Sequence, residues 1–282
     1  MAEYTPEDIW RSYMTTGKVP AGVPSYWFES KFLRPIIRRM PADPRCRVCL
    51  YPFHGIGGWL ARSLLDLQPS HLNPQLCNVC ERFAQRHQGG AEIEASFLFA
   101  DVRGSTHLAE RMSPLAFSEL INRFYRAASH ELYAHNAMIE KLIGDEVTGF
   151  FVPGFAGPDH ARVAVETARA ILQATGHTNP DGPWVPVGVG VHVGKAYIGS
   201  AVSAEGLADV AVLGDAVNVA ARLASLAKAG EVVLSDEVRL AAGISPEGME
   251  SRHLELKGRS EPVDVWALTE SHPEISQNEK TP

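Results

Sequence analysis

Apolar and aromatic residues recur at helical spacing near the start of the chain: Ile9, Tyr13, Trp27, Phe28, Phe32, Leu33, Ile36 and Ile37, with a Pro/Gly interruption from Gly17 to Pro24. This predicts an N-terminal helical segment over residues 1–40. Its aromatic stripe fits packing against a neighbour or a second subunit, or attachment to a membrane surface. The basic cluster Lys31 to Arg39 is short, which favours packing. Beyond residue 95 the pattern changes to short apolar runs alternating with amphipathic stretches. The run Phe97-Leu98-Phe99-Ala100 predicts a strand over 96–102. Ser113-Pro114 then supplies an N-cap and first helical residue, and Leu120, Ile121, Phe124, Ala128 and Leu132 form a buried stripe. AMIEKLI and EVTGFFV read as two strands joined at Gly144-Asp145, a hairpin-turn pair.

A helix over about 158 to 175 follows, then the β-rich stretches VPVGVGVHVG and KAYIGSAV and a short arm, SAEGLADVAVL. The remainder predicts a helix from Asp215 to Ala229, strand EVVLS, a short helix, and two last strands, SRHLELKG and VDVWAL. The order β-α-β-β-α-β inside this series predicts an α+β protein with a ferredoxin-like core and additional strands and helices. Gln88-Gly89-Gly90 reads as a linker, placing a second domain at 89–272 and a polar tail at 273–282.

Residues 41–88 form a separate region because they hold all four cysteines, Cys46, Cys49, Cys77 and Cys80, as two Cys-x-x-Cys pairs. Cys46-Arg-Val-Cys49 follows a Pro-rich turn, as in a zinc knuckle, and Cys77-Asn-Val-Cys80 opens the helical pattern ERFAQRH. That combination predicts a treble-clef-like metal site with four cysteine ligands. Zinc fits it, and so does an iron–sulfur cluster, which would make the region a redox sensor. His54, His71 and His87 are read as packing or surface histidines.

Composition narrows the class. The chain has 282 residues, 45% of them hydrophobic, which suits one large or two ordinary globular domains. Its apolar runs fall well short of the roughly 18 residues of a membrane span, and MAEYTPEDIW lacks the basic and apolar regions of a signal peptide. The expectation is a soluble cytoplasmic protein with no transmembrane segment, in which paired cysteines bind metal rather than form disulfides. Residues 1–90 carry 11 Lys and Arg against 7 Asp and Glu, whereas the remainder carries 15 against 26, within a net charge of −7. An acidic domain of that kind is ill suited to gripping nucleic acid.

The candidate chemistry sits at the strand ends. Asp101 closes the first strand and is followed by the turn Val102-Arg103-Gly104-Ser105-Thr106. In a ferredoxin-like sheet the first and third strands lie side by side at the centre. Asp101 and Asp145, the latter in the turn before the third strand, are therefore expected to meet. Two carboxylates near each other suit Mg²⁺ carrying substrate phosphates; each alone reads equally as a turn former. On the helix from Asp215, Asn218 and Arg222 are four apart and share a face, either solvated or a substrate clamp.

FADVRGST, KLIGDE, LGDAVNVAARL and ELKG, in that order, resemble the catalytic domain of class III nucleotidyl cyclases, the adenylate and guanylate cyclases, over roughly residues 92–270. The resemblance implies that Asp101 and Asp145 ligate two Mg²⁺ or Mn²⁺ ions, with Val102 ligating through its carbonyl. The turn through Gly104, Ser105 and Thr106 would cradle phosphates. Asn218 would orient the ribose, Arg222 would stabilise the transition state and Lys257 would contact the terminal phosphates. Lys141 falls at the purine-selecting position, where lysine looks like the adenylate cyclases. Ala211 falls at a second base-selecting position where the family usually has Asp, Thr or Ser, so the chain departs from the pattern there. Implied with these are ATP as substrate, cyclic AMP as product, and a homodimer whose sites take metal ligands from one subunit and the Asn/Arg pair from the other. A catalytically weak nucleotide-binding regulator, or a guanylate or mixed-specificity cyclase, is the alternative that Ala211 favours. A nucleic-acid-binding zinc module is disfavoured by the modest basic charge of residues 1–90, and a palm-type polymerase by the acidic second domain.

Overall fold

The computed structural model describes residues 4–23, 45–46, 48–49, 51–71, 73–202, 208–254 and 263–269. Most of the aromatic stripe from Trp27, the motif around Lys257 and the polar tail lie outside these residues. The first helix, α1 (Pro6–Thr16), begins at a capping box in which Thr5 and Asp8 satisfy each other's backbone N–H groups, and ends at Gly17, whose φ of 71° closes the last turn. Between the cysteine pairs lies a helix that the glycine-rich FHGIGG sequence does not advertise, α2 (Gly55–Leu65). Gly58 is required there, because a Cβ would collide with the Phe53 carbonyl. Helix α3 (Asn78–Arg86) starts as expected at the second pair, with Cys77 as its N-cap.

The sheet begins with β1 (Gly89–Val102), which is far longer than the expected 96–102. Gly89 and Gly90, read as a linker, are its first residues and pair with Ser200 and Gly199. Glycine serves here because the strands touch: a Cβ on Gly90 would lie 2.5 Å from the Ile198 carbonyl oxygen. After β1 come α4 (Ser105–Arg111), α5 (Pro114–Ala134), β2 (Met138–Ile143), β3 (Glu146–Phe151), the single turn α6 (Pro153–Ala156) and α7 (His160–Ala174). One long strand, β4 (Val187–Val202), replaces the two expected runs, and β5 (Ala208–Leu213) folds back on its second half. The chain continues through α8 (Asp215–Leu226), β6 (Glu231–Ser235), α9 (Asp236–Ala241), β7 (Glu250–Leu254) and β8 (Val263–Thr269).

The strands form one mixed sheet in the order β2-β3-β1-β4-β6-β8-β7, with β5 on β4. Its β2-β3-β1-β4 part, linked through α5 and α7, is the expected ferredoxin-like core of an α+β fold, with β1 and β3 as neighbours. The pleat divides the side chains cleanly. Leu98, Ala100 and Val102 of β1 and Val187, Val189, Val191 and Val193 of β4 join the core under α5 and α7. Phe97 and Phe99 point the other way, into a core shared with α1, α8 and the cysteine region. The glycines of GVGVHVG therefore face α8, which packs directly on the backbone of β4. A Cβ on Gly188 would meet the Ala227 carbonyl oxygen at 2.7 Å, and one on Gly190 would overlap the Ala224 backbone nitrogen.

The cysteine region docks by aromatic contacts. Trp10 and Tyr13 of α1 lie against Phe83 of α3, each with ring centroids 5.3 Å apart, and Tyr13 also meets Phe155 at 5.2 Å. The Trp10 indole donates to the His87 carbonyl at 2.7 Å. His87 itself packs on Phe83, with ring centroids 4.9 Å apart, as a packing histidine.

Candidate active site

The ladder between β1 and β3 sets Asp101 opposite Glu146, and the Val102 N–H donates to the Asp145 carbonyl at 3.0 Å. The two aspartates expected to meet are thus carried on adjoining strand ends. Asp145 owes its place to the tight turn of the β2–β3 hairpin, in which Ile143 pairs with Glu146 and Gly144 has a φ of 62°. The Tyr125 hydroxyl fixes this turn from α5 by donating to the Gly144 carbonyl at 2.7 Å.

The carboxylates surround a cation that sequence reasoning left without a role. Arg103 ion-pairs with Asp101. Burial pushes the Arg103 guanidinium below its usual range, and the charges of Asp145 and Glu146 pull it back up. Glu146 is held above the ordinary carboxylate range by burial and by its neighbours Asp145 and Glu140, with Arg103 and Lys141 opposing. Carboxylates on adjoining strand ends that draw in an arginine suit hard cations, which bind one or two carboxylates and keep phosphate oxygens as further ligands. The arginine's only sequence signal was a basic residue two places after Asp101. Next to it, Gly104 (φ 66°) leads into α4, so Ser105 and Thr106 stand in the first helical turn with no side-chain cap.

Arg103 also reaches α8. Its second terminal nitrogen donates to the Ser225 carbonyl at 3.0 Å. Helix α8 buries Ala216, Val219, Ala220, Leu223 and Ala224, leaving Asn218 exposed and Arg222 half-buried. Lys141 is exposed on β2 beside a bulge, its backbone N–H bound to the Thr148 hydroxyl at 3.0 Å. Ala211 sits on β5 opposite Gly199. Met138, Ile139 and Glu140 of β2 and Asp209 and Val210 of β5 line one narrow crevice between the two strands. Lys257 lies outside the described residues.

A family model described as "Adenylate and Guanylate cyclase catalytic domain" matches residues 90–269. The chain belongs to this cyclase family. Among solved structures, the chain is similar to the guanylyl cyclase Cya2, with a TM-score of 0.58 and 23% identity, covering 64% of this chain and 93% of that one. It is also similar to the adenylyl cyclase CyaB from P. aeruginosa, with a TM-score of 0.56 and 25% identity over 65% and 97% of the two chains. Among curated proteins, an uncharacterized protein of Mycobacterium tuberculosis is 30% identical over 202 residues, 70% of this chain and 36% of that protein. An adenylate cyclase of Anabaena cylindrica is 28% identical over 187 residues, 61% of this chain and 36% of the cyclase. The chain thus spans about a third of the length of these curated relatives, at 36% of each.

Outside the family match, the side chains of Cys46, Cys49, Cys77 and Cys80 converge, all buried, in a group able to hold a metal ion. The knuckle closes through the Cys46 N–H, which donates to the Tyr51 carbonyl at 2.9 Å. Burial pushes the Cys46 thiol up, but hydrogen bonds with the other three cysteines hold it well below the ordinary thiol range. Cys49 stays above that range through burial and hydrogen bonding to Cys46, and Cys80 through hydrogen bonds to the other cysteines. So crowded a set shares little negative charge on its own; a cation allows all four to ionise. No helix among the described residues is long and apolar enough to cross a membrane.

Proposed function

We propose that the protein is an adenylate cyclase that converts ATP to 3′,5′-cyclic AMP and pyrophosphate at sites shared across a homodimer. Residues 89–272 would be its catalytic domain, and residues 1–40 and 41–88 a helical segment and a metal-binding regulatory or sensor region. The observation that carries this reading is that Asp101 and Asp145 stand on adjoining strand ends beside the Arg103 guanidinium in a chain of the cyclase family.

In this reading Asp101, Asp145 and the Val102 carbonyl would hold two Mg²⁺ or Mn²⁺ ions. These ions would supply Lewis-acid activation of the ribose 3′-hydroxyl and neutralise charge developing at the α-phosphate. The protein's own contribution is positioning and electrostatics. The N–H groups opening α4 at Gly104, Ser105 and Thr106 would cradle phosphates, and Lys257 would contact the terminal ones. Asn218 would hold the ribose so that its 3′-oxygen lies in line with the α-phosphorus. Arg222 would donate its planar fork to the transferring phosphoryl group. Lys141 would donate to adenine N1, which selects ATP, and the likeness to an adenylate cyclase of Anabaena cylindrica supports that choice.

Ala211 favours a second reading. A methyl group cannot accept from the adenine amino group, so the pocket lacks one polar partner and discriminates less sharply. A weak nucleotide-binding regulator, or a cyclase that accepts GTP, follows from that loss. Purified full-length protein, given ATP or GTP with Mg²⁺ or Mn²⁺ and assayed for both cyclic nucleotides, separates these. Cyclic AMP from ATP supports the proposal, and cyclic GMP as the main product overturns the substrate assignment. Nucleotide binding without either product would make the regulator the better description.

A further inference from the structure

The spacing of the four sulfurs distinguishes the two metals that the cysteine pattern leaves open. All four lie within 4.8 Å of one another, and Cys49 Sγ and Cys77 Sγ are 3.7 Å apart. A tetrahedral ion with Zn–S bonds of about 2.3 Å sets its sulfurs ~3.8 Å apart, since a tetrahedron's edge is about 1.6 times its centre-to-corner distance. An iron–sulfur cluster interposes irons and sulfides and spreads its thiolates to roughly 6 Å. The cysteines here are too close for a cluster and correctly spaced for one ion. Two sulfurs are also supported by backbone donors: the Cys77 N–H reaches Cys46 Sγ at 3.2 Å, and the Cys80 N–H reaches Cys77 Sγ at 3.4 Å. With four buried cysteines as its ligand set, the site has the form of a structural zinc centre.

The same two knuckles present apolar side chains to the catalytic sheet. Val48 lies between Cys46 and Cys49, and Leu76 immediately precedes Cys77. Both wall the cleft whose other sides are Met138 and Phe150 of the β2–β3 hairpin and Asp209 and Val210 of β5. The buried cysteines themselves belong to the apolar core that contains Phe97, Phe99, Met138 and Phe150. A region this small, with two short helices and isolated bridges at Arg45–Pro52 and Pro69–Cys77, depends on a staple to hold its shape.

We infer that Cys46, Cys49, Cys77 and Cys80 bind a single tetrahedral zinc ion, and that this ion clamps Val48 and Leu76 against β2, β3 and β5, so that its occupancy sets the order of those strands. The clamp acts on the elements that carry Lys141 and Ala211, but neither half of the inference rests on the cyclase reaction.

Two measurements on the full-length chain test it, and neither reads catalysis, so failure of the proposed activity is distinguishable from failure here. Elemental analysis and absorption of protein purified without air should give one zinc per chain and no visible band. Iron with acid-labile sulfide and a coloured sample would overturn the single-ion assignment. Hydrogen exchange should then be compared before and after stripping with a chelator under reducing conditions. Amides of β2, β3 and β5 should exchange at least about tenfold faster after stripping, while α5 and α7 on the opposite face keep their protection, and one equivalent of zinc should restore the difference. Unchanged protection in β2 and β5, or loss extending through α5 and α7, would overturn the clamp. Val48→Ala with Leu76→Ala keeps all four ligands and guards against misfolding of cysteine variants. It should still bind one zinc yet loosen the same strands, and unaltered exchange in that variant would also overturn the clamp.

Discussion

The Arg103 guanidinium donates to the Ser225 carbonyl on α8 at 3.0 Å while its other terminal nitrogen is ion-paired with Asp101. One side chain therefore joins the carboxylate turn to the helix that carries Asn218 and Arg222. If the proposed sites are shared across a dimer, those two features of one chain serve different sites, and Arg103 ties one site to the other.

If Asp101 ligates a divalent ion as proposed, that ion competes with this arginine for the carboxylate. Arg103→Ala should lower the Mn²⁺ concentration for half-saturation by about threefold to tenfold, the worth of one half-buried ion pair. It should also reduce kcat, because α8 loses its tie. Calorimetric titration with Mn²⁺ in the presence of a non-cyclisable ATP analogue reads the first effect. Weaker metal binding in the variant would count against the displacement.

Arg222→Ala should lower kcat by about 10²–10⁴, somewhat below arginine-finger magnitudes, with little effect on melting temperature because Arg222 lies outside the buried stripe of α8. Asp101→Ala should be similarly inactive. Mixing the two proteins should recover part of the activity, because a mixed dimer contains one complete site. No recovery in a mixture shown to exchange subunits would remove the shared-site proposal.

Gly190→Ala should displace α8 from β4, since the added methyl overlaps the Ala224 backbone nitrogen. Overpacking of this kind costs about 1–3 kcal/mol, visible as a lower urea midpoint, with kcat falling through misplacement of Asn218 and Arg222. Val191→Ala removes a side chain from the opposite face of the same strand. It should cost comparable stability with a smaller loss of kcat per unit of destabilisation. Equal losses in both would deny α8 its positioning role.

Acidification should destabilise the fold before the carboxylates titrate. Burial holds the His160 imidazole below its ordinary value of 6.5, with Glu94 and Asp159 pulling the other way, and its Nδ1 is hydrogen-bonded to the Ser96 hydroxyl at 2.8 Å. The unfolded chain takes up the proton first. The stabilisation is therefore complete above about pH 6.5 and is lost as pH falls towards the lower folded-state value. His87 and His177, also lowered by burial, add with the same sign. Melting temperature should be lower at about pH 5.5 than at about pH 7.5, and His160→Gln should narrow the gap. A gap unchanged in the variant would assign the effect to other groups.

Much of this was legible in the sequence because it is local. The Gly144-Asp145 turn, the Ser113-Pro114 helix start and the Cys77 cap are decided by a few neighbouring residues, and each falls where the pattern put it. The motif order identified the cyclase family, and two Cys-x-x-Cys pairs announced a group able to hold a metal ion. The β-rich run VPVGVGVHVG was read as strand, but not that its glycines face a helix. Local pattern also misread Gly89-Gly90 as a linker, because glycine signals flexibility until another backbone is known to press against it. The joining of Asp101 to Ser225 through Arg103, and the spacing of the four sulfurs, were settled only by the fold. Both depend on distances between residues far apart in the chain, and no residue's own propensities encode such distances.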